Sequence, residues 1–270
     1  METPNDMMKN ILNKFPVVDH AFAYGSGVFR QLTHQNRDKM IDMMFIVNDT
    51  NKWHEMNLKT NPSHYPSTVF NPFYNIISSV QRDHIYHVTM IEHEGIKYKY
   101  GVMDWRTAEA DLLQWKHIYL AGRMHKPTLT LKTDSRMTLM LEKNLKIATN
   151  IAKRSAISKF GPNFKMMDFL REIVSISFDG DIRMFLGENQ DKVDNIVRGQ
   201  FSQLEQMYKP LIAENSDNFE LPESIRADTI EGVRDKCRKI VRCTSFSQGW
   251  RSFLAGGVGR SFKYWMRKIS

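Results

Sequence analysis

Apolar positions change their spacing along the chain, and each change predicts an element. His20–Tyr24 (HAFAY) reads as a short buried strand ending in Gly25-Ser26-Gly27; Val28, Phe29 and Leu32 then suggest the start of a helix. Met40–Val47 (MIDMMFIV) predicts a second strand, apolar at every position except Asp42. Residues 51–74 are rich in Asn, Pro, His and aromatics without clear periodicity, which predicts a structured loop region. Thr89–Glu92 and Lys97–Met103 flank Gly95 and predict a hairpin. From Thr107 the spacing becomes helical: Leu112, Leu113, Trp115, Ile118, Tyr119 and Leu120 form a stripe running into Ala121-Gly122-Arg123. Residues 134–157 and 165–177 are two further helices by the same test. The expected architecture is α+β, with an α+β part over residues 1–125, a mainly helical part over 126–225 and a C-terminal region over 226–270.

Charge sharpens the last of these boundaries. Residues 1–225 hold 27 Lys and Arg against 27 Asp and Glu, whereas residues 226–270 hold 11 against 3. The whole net charge of +8 lies in the final region, which predicts an anionic partner: nucleic acid or an acidic membrane surface. Val258, Phe262, Trp265, Met266 and Ile269 are spaced to share one helical face, with Arg260, Lys263, Arg267 and Lys268 off it. Phe246, Trp250, Phe253 and Leu254 form a second short stripe, and Gly256-Gly257 between the two is expected to act as a hinge. This pattern suits a helix lying in a membrane interface, with Trp250, Phe253, Phe262, Trp265, Arg267 and Lys268 as its membrane-binding residues. Single-strand binders instead interleave aromatics with cations over an open sheet, so no nucleic-acid partner is expected. No run is apolar enough to span a membrane. Residues 1–14 carry Glu2, Asp6, Lys9 and Lys14, unlike a secretory leader or a mitochondrial presequence. Cys237 and Cys243 do not form a CxxC motif.

Two features carry chemistry. A glycine-rich turn between strand and helix lets backbone N–H groups approach a phosphate, so Gly25, Ser26 and Gly27 are candidate nucleotide-binding residues. The turn lacks the further residues of a dinucleotide fingerprint or a P-loop. Asp42 is a carboxylate within an apolar strand, which requires a hydrogen-bonded, ionic or metal partner. Together they resemble the polymerase-β-like nucleotidyltransferases, in which such a turn holds the triphosphate and strand carboxylates hold Mg²⁺. That group usually places a second acid two residues after the first, where this chain has Met44; Asp38, Asp49, Asp104, Asp111 and Asp181 are the candidates to replace it.

A closer resemblance follows from blocks in a consistent order. Ala23-Tyr24-Gly25-Ser26-Gly27-Val28-Phe29-Arg30-Gln31, Met40-Ile41-Asp42, Trp53-His54, His64-Tyr65, Lys99-Tyr100-Gly101-Val102 and Asp111-Leu112-Leu113 lead to Tyr119–Pro127 (YLAGRMHKP), the most distinctive block. Gly180-Asp181-Ile182-Arg183-Met184 and Lys192-Val193 continue the series. These blocks resemble the mitochondrial phosphatidate cytidylyltransferases, also called the translocator assembly and maintenance family. The resemblance implies a polymerase-β-like nucleotidyltransferase domain followed by a helical winged-helix-like domain. It implies transfer of CMP from CTP to phosphatidic acid, with Mg²⁺ as cofactor, giving CDP-diacylglycerol and pyrophosphate for cardiolipin synthesis. It also implies a peripheral position on the matrix side of the mitochondrial inner membrane, against anionic lipids. The oligomeric state stays open, a homo-oligomer included.

On this resemblance Asp42 is the Mg²⁺ ligand and a catalytic residue. Arg123 and Lys126 are nucleotide-binding, Lys126 also catalytic; their alternative is ordinary charge at a helix C-terminus. Asp181 (catalytic) and Arg183 (nucleotide-binding) complete the site from the second half, or form an internal ion pair. His54 and His64 order a loop or lie near cytosine and lipid. The competing functions are a nucleotidyltransferase acting on RNA or protein, and a non-enzymatic assembly factor for an inner-membrane translocase.

Overall fold

A computed structural model describes residues 4–25, 27–29, 40–65, 81, 84–93, 95–184, 191–214 and 220–269; Pro4, Asn5, Met90, His93, Trp250 and residues 252–269 are described by backbone alone. Helix α1 (Pro4–Leu12) leads into strands β1 (His20–Tyr24) and β2 (Ile41–Val47), followed by α2 (Thr50–Thr60). Strands β3 (Tyr86–His93) and β4 (Ile96–Asp104) form the expected hairpin, turning at Gly95 with φ +78°. Then come α3 (Trp105–Gln114), α4 (Leu120–Met124), β5 (Leu129–Lys132), α5 (Ser135–Phe160), α6 (Met166–Ser175), α7 (Lys192–Gly199), α8 (Phe201–Ala213) and α9 (Ile230–Ile269). The α+β class is as expected. The sheet takes β5 from beyond residue 125, in the order β3-β4-β2-β1-β5, with β2 and β4 parallel and the other neighbours antiparallel.

Both sheet faces are covered, which explains why β2 is apolar almost throughout. Phe22, Tyr24, Met44, Ile46 and Met103 face a core built with α3, α5 and α6; Ala21, Ala23, Met43, Phe45 and Val102 face α1 and Trp53 of α2. Each large side chain so enclosed stabilises the fold by about 1.5–3 kcal/mol.

Three local expectations are corrected. Residues 50–60 form helix α2, not loop, because Asp49 caps it by accepting from the Lys52 N–H (3.1 Å). Its buried stripe is Trp53, His54 and Asn57, a helical spacing hidden by polar residues. The stripe from Thr107 to Arg123 breaks into α3 and α4, because Trp115 and Ile118 adopt left-handed φ of 54° and 53°. The buried Asp111 carboxylate holds this break, accepting from the N–H groups of His117 (2.8 Å), Ile118 (2.7 Å), Leu120 (2.6 Å) and Ala121 (3.2 Å). Finally, the backbone stays helical through Gly256-Gly257, where a hinge was expected.

The first half of α9 belongs to the core. Val233, Cys237, Val241, Thr244 and Gln248 are buried, and Gln248 donates to the Ile85 carbonyl (2.8 Å). Among the described residues no helix is long and apolar enough to cross a membrane.

Candidate active site

Side-chain alternation puts Asp42 on the same sheet face as Met44 and Ile46, toward the helices that follow. Its neighbours in register are Tyr24 on β1 and Lys99 on β4, and the Lys99 ammonium pairs with its carboxylate at 3.1 Å. The glycine turn closes over this acid. Gly25 has φ +82°, and its carbonyl accepts from Val28 N–H (3.1 Å) and Phe29 N–H (2.9 Å). A Cβ on Gly25 would stand 2.9 Å from Asp42 Oδ2, and one on Gly27 would stand 2.6 Å from the Met40 carbonyl. Both glycines are therefore required by shape, Gly25 also by its backbone. Ser26, the expected helix after Phe29 and Asp38 lie outside the described residues.

Gly27→Val is accordingly expected to push the turn off β2 and weaken CTP binding strongly, with Gly25→Ala acting in the same direction. Isothermal titration with CTP checks this; unchanged affinity in Gly27→Val means that the turn does not hold phosphate.

Helix α4 and the residues after it bring cations to the same face. The Arg123 guanidinium lies over the Tyr24 ring at 4.2 Å, and its Nε is buried with no hydrogen-bond partner. Lys126 is 6% exposed and donates to the Gly122 carbonyl (2.5 Å) and Ser177 Oγ (2.7 Å). Lys126 and Lys192 both approach the Phe178 ring, at 5.0 and 5.2 Å. Among the described residues neither Arg123 nor Lys126 has a carboxylate partner. Burial, then the charges of Arg123, Lys192 and Arg183, hold the Lys126 ammonium well below the ordinary lysine range. His87 lies across Gly101, where a Cβ would meet its Cε1 at 3.0 Å. Burial, then Lys99, Arg183 and Arg123, lower its pKa to about 3. Geometry thus brings Arg123 to the Tyr24 ring beside Asp42 and Lys126 and Lys192 to the Phe178 ring, while Lys99 and Arg183 pair with Asp42 and Asp181. A buried, unpartnered guanidinium nitrogen and a buried lysine without a counter-ion are what an anion site provides.

The candidate second carboxylates are engaged elsewhere. Asp49 and Asp104 cap α2 and α3, and Asp111 holds the break before α4. Asp181 is buried under Arg183, which approaches it through Nε (3.0 Å) and Nη2 (2.5 Å). Among the described residues no cluster of three or more His, Cys, Asp or Glu side chains is arranged to hold a metal. Asp42 remains a suitable ligand for Mg²⁺, an ion that commonly takes one or two carboxylates, with phosphate oxygens and water completing its shell.

His54 and His64 lie across the sheet from Asp42. His54 contacts Tyr65 Oη (2.7 Å) and Gln81 Oε1 (2.9 Å), and His64 contacts Tyr100 Oη (3.0 Å), within a buried polar network. Burial lowers the His54 pKa to about 3. The expected membrane residues Trp250, Phe253, Phe262, Trp265, Arg267 and Lys268 fall on α9, where side chains lie outside the described residues. Sequence reasoning gave no role to Lys99, His87 or Lys192. The signal for Lys99 was available: it stands in a strand two residues before Gly101, in the β4 block that pairs with β2.

Residues 8–234 match the family described as "Phosphatidate cytidylyltransferase, mitochondrial". Proteins of that name from Xenopus laevis and Saccharomyces cerevisiae are similar at 38% identity over 214 residues and 32% over 256. These alignments cover 76% and 92% of the chain, but 62% and 66% of the relatives. The human protein of that name is 36% identical over 77% of the chain and 46% of its own length. The chain thus spans less than two thirds of the length of these relatives. On the match over residues 8–234 and these identities, the chain belongs to the mitochondrial phosphatidate cytidylyltransferase family.

Proposed function

We propose that the chain transfers CMP from CTP to phosphatidic acid, forming CDP-diacylglycerol and pyrophosphate for cardiolipin synthesis. The observation that carries this reading is the glycine turn folded over Asp42 beside Arg123, whose Nε is buried, and the buried Lys126, neither with a carboxylate partner among the described residues. Family membership supplies the substrate class. The relatives are named mitochondrial, which supports a mitochondrial location; a peripheral place on the matrix side of the inner membrane is part of the same proposal. The finer fold assignment, a polymerase-β-like nucleotidyltransferase part followed by a winged-helix-like part, is supported by the β1–turn–β2 unit carrying Asp42.

In this reading the backbone at Gly25 and Gly27 approaches the triphosphate. Arg123 supplies its buried Nε, and Lys126 supplies an ammonium whose protonated form a neighbouring anion favours. An oxygen of the phosphatidate phosphate attacks the α-phosphorus, and the bond to the bridging oxygen breaks. The electron pair leaves with pyrophosphate, whose charge Arg123, Lys126 and Lys192 stabilise in a poorly hydrated setting. Asp42 would hold Mg²⁺, which when bound neutralises phosphate charge and favours in-line geometry.

The test is incubation of the purified protein with labelled CTP, dispersed phosphatidic acid and Mg²⁺. Label is expected in the lipid phase, with CTP preferred to ATP. Absence of lipid label under conditions where CTP binds overturns the reading.

A further inference from the structure

We propose that Arg183 binds the phosphomonoester of the lipid acceptor, and not the triphosphate of the nucleotide. This rests on the cytidylyl-transfer reading above and divides its anion site in two.

Depth separates the cations. Lys126 is 6% exposed and Arg123 is half-buried with its Nε enclosed, so both lie deeper than Arg183. The Arg183 side chain is 47% exposed. It is nonetheless fixed: Asp181, 2% exposed, accepts from its backbone N–H (3.0 Å), its Nε (3.0 Å) and its Nη2 (2.5 Å). Such a two-point grip sets the plane of the guanidinium, which favours recognition of a tetrahedral oxyanion over loose charge attraction. Asp181 is thus a positioning residue acting through Arg183.

The two groups of cations also stand on different segments, joined where Lys126 donates to Ser177 Oγ. Arg123 and Lys126 lie on and just after α4, held by Asp111 from behind. Arg183 lies on the segment after α6, and α9 grips that segment repeatedly. Arg234 donates to Ser175 Oγ (2.7 Å) and pairs with Asp179. Gly180, at φ +91°, packs against the Arg238 carbonyl with no room for a Cβ. Ser245 Oγ accepts from the Ile182 N–H (3.2 Å). Helix α9 then continues into the basic C-terminal stretch. Arg183 is therefore placed by the element that leads to the expected lipid surface, while its own segment also receives Lys126, which donates to Ser177 Oγ and lies over the Phe178 ring. A phosphomonoester held by the exposed Arg183 would lie beside a triphosphate held by the deeper cations, which an attack on the α-phosphorus requires.

The experiment uses the full chain with Arg183→Gln, Arg183→Lys and Asp181→Asn. Rates are measured with CTP and detergent-dispersed phosphatidic acid each varied, and CTP affinity is titrated without lipid. Arg183→Gln is expected to raise the KM for phosphatidic acid by about 10- to 100-fold, the loss of one charge-assisted contact, and to leave CTP affinity unchanged. Arg183→Lys should recover part of the loss, and Asp181→Asn should show a smaller effect of the same kind. Glycerol 3-phosphate, a soluble phosphomonoester, should compete with phosphatidic acid in the wild type and bind more weakly to Arg183→Gln. Loss of CTP affinity in Arg183→Gln as large as the rise in KM for phosphatidic acid overturns the division. So does an unchanged KM in that variant. If Arg183→Gln does not fold, the same readouts on Arg183→Lys decide. A wild type that makes no lipid product counts against the cytidylyl-transfer reading instead, and the glycerol 3-phosphate titration still reports on Arg183.

Discussion

Asp42→Asn is expected to lower turnover about a thousandfold, the scale of several kcal/mol of transition-state stabilisation lost with a metal-binding carboxylate. The fold should survive. Asp42 and Lys99 are both partly exposed, and such a partly screened ion pair contributes on the order of 1 kcal/mol. Asparagine keeps the shape beneath Gly25 Cα, so the turn need not move. CTP binding without metal should change little, or strengthen slightly as Lys99 is released toward phosphate. Circular dichroism and thermal melting check the fold, and a lipid-phase assay in detergent checks turnover. A mutant with wild-type activity would remove Asp42 from the mechanism, and the glycine turn would then have to work with an acid outside the described residues.

The parts of this site that were legible in sequence are those written locally. β1, the glycine turn and Asp42 stand within about one strand–turn–strand unit, and an acid in an apolar run signals a special partner without any knowledge of tertiary structure. Helix α2 was hidden because its inward face is Trp53, His54 and Asn57, whose hydrogen bonds to Tyr65, Gln81 and Tyr100 make polar residues behave as core. The break between α3 and α4 was hidden for a different reason. Asp111 stabilises it by reaching amides six to ten residues ahead, an interaction with no periodic trace. Asp181 and Arg183 did form the ion pair that their spacing left open. The cation group as a whole was illegible because it is assembled from β4, α4, the segment after α6 and α7. Only the family blocks, read in order, pointed to those segments together. Helix α9 shows the opposite difficulty: its apolar spacing runs on from the buried residues Val233 to Gln248 while the sequence changes to an aromatic-rich stretch.

That change decides how the C-terminal region must be tested. Deleting residues 239–270 would remove Val241, Thr244 and Gln248 from the core and the Gln248 bond to Ile85, so the protein is expected to lose stability, and CTP binding with it. Deleting residues 252–270 spares all of these. The shorter deletion should leave CTP affinity near that of the full chain and abolish sedimentation with cardiolipin-rich liposomes. The magnitudes favour a reversible interaction. Full burial of each large side chain at Val258, Phe262, Trp265, Met266 and Ile269 would contribute about 1.5–3 kcal/mol, and an interfacial helix realises a fraction of that. Each Lys or Arg near an anionic surface adds about 1 kcal/mol. Trp265→Glu should therefore cause much of the loss alone, by placing a carboxylate in the apolar row. High salt should weaken binding only in part, because the apolar contribution is not screened. If the protein lacking residues 252–270 sediments with liposomes as well as the full chain, the membrane surface lies elsewhere and the end of α9 has another partner.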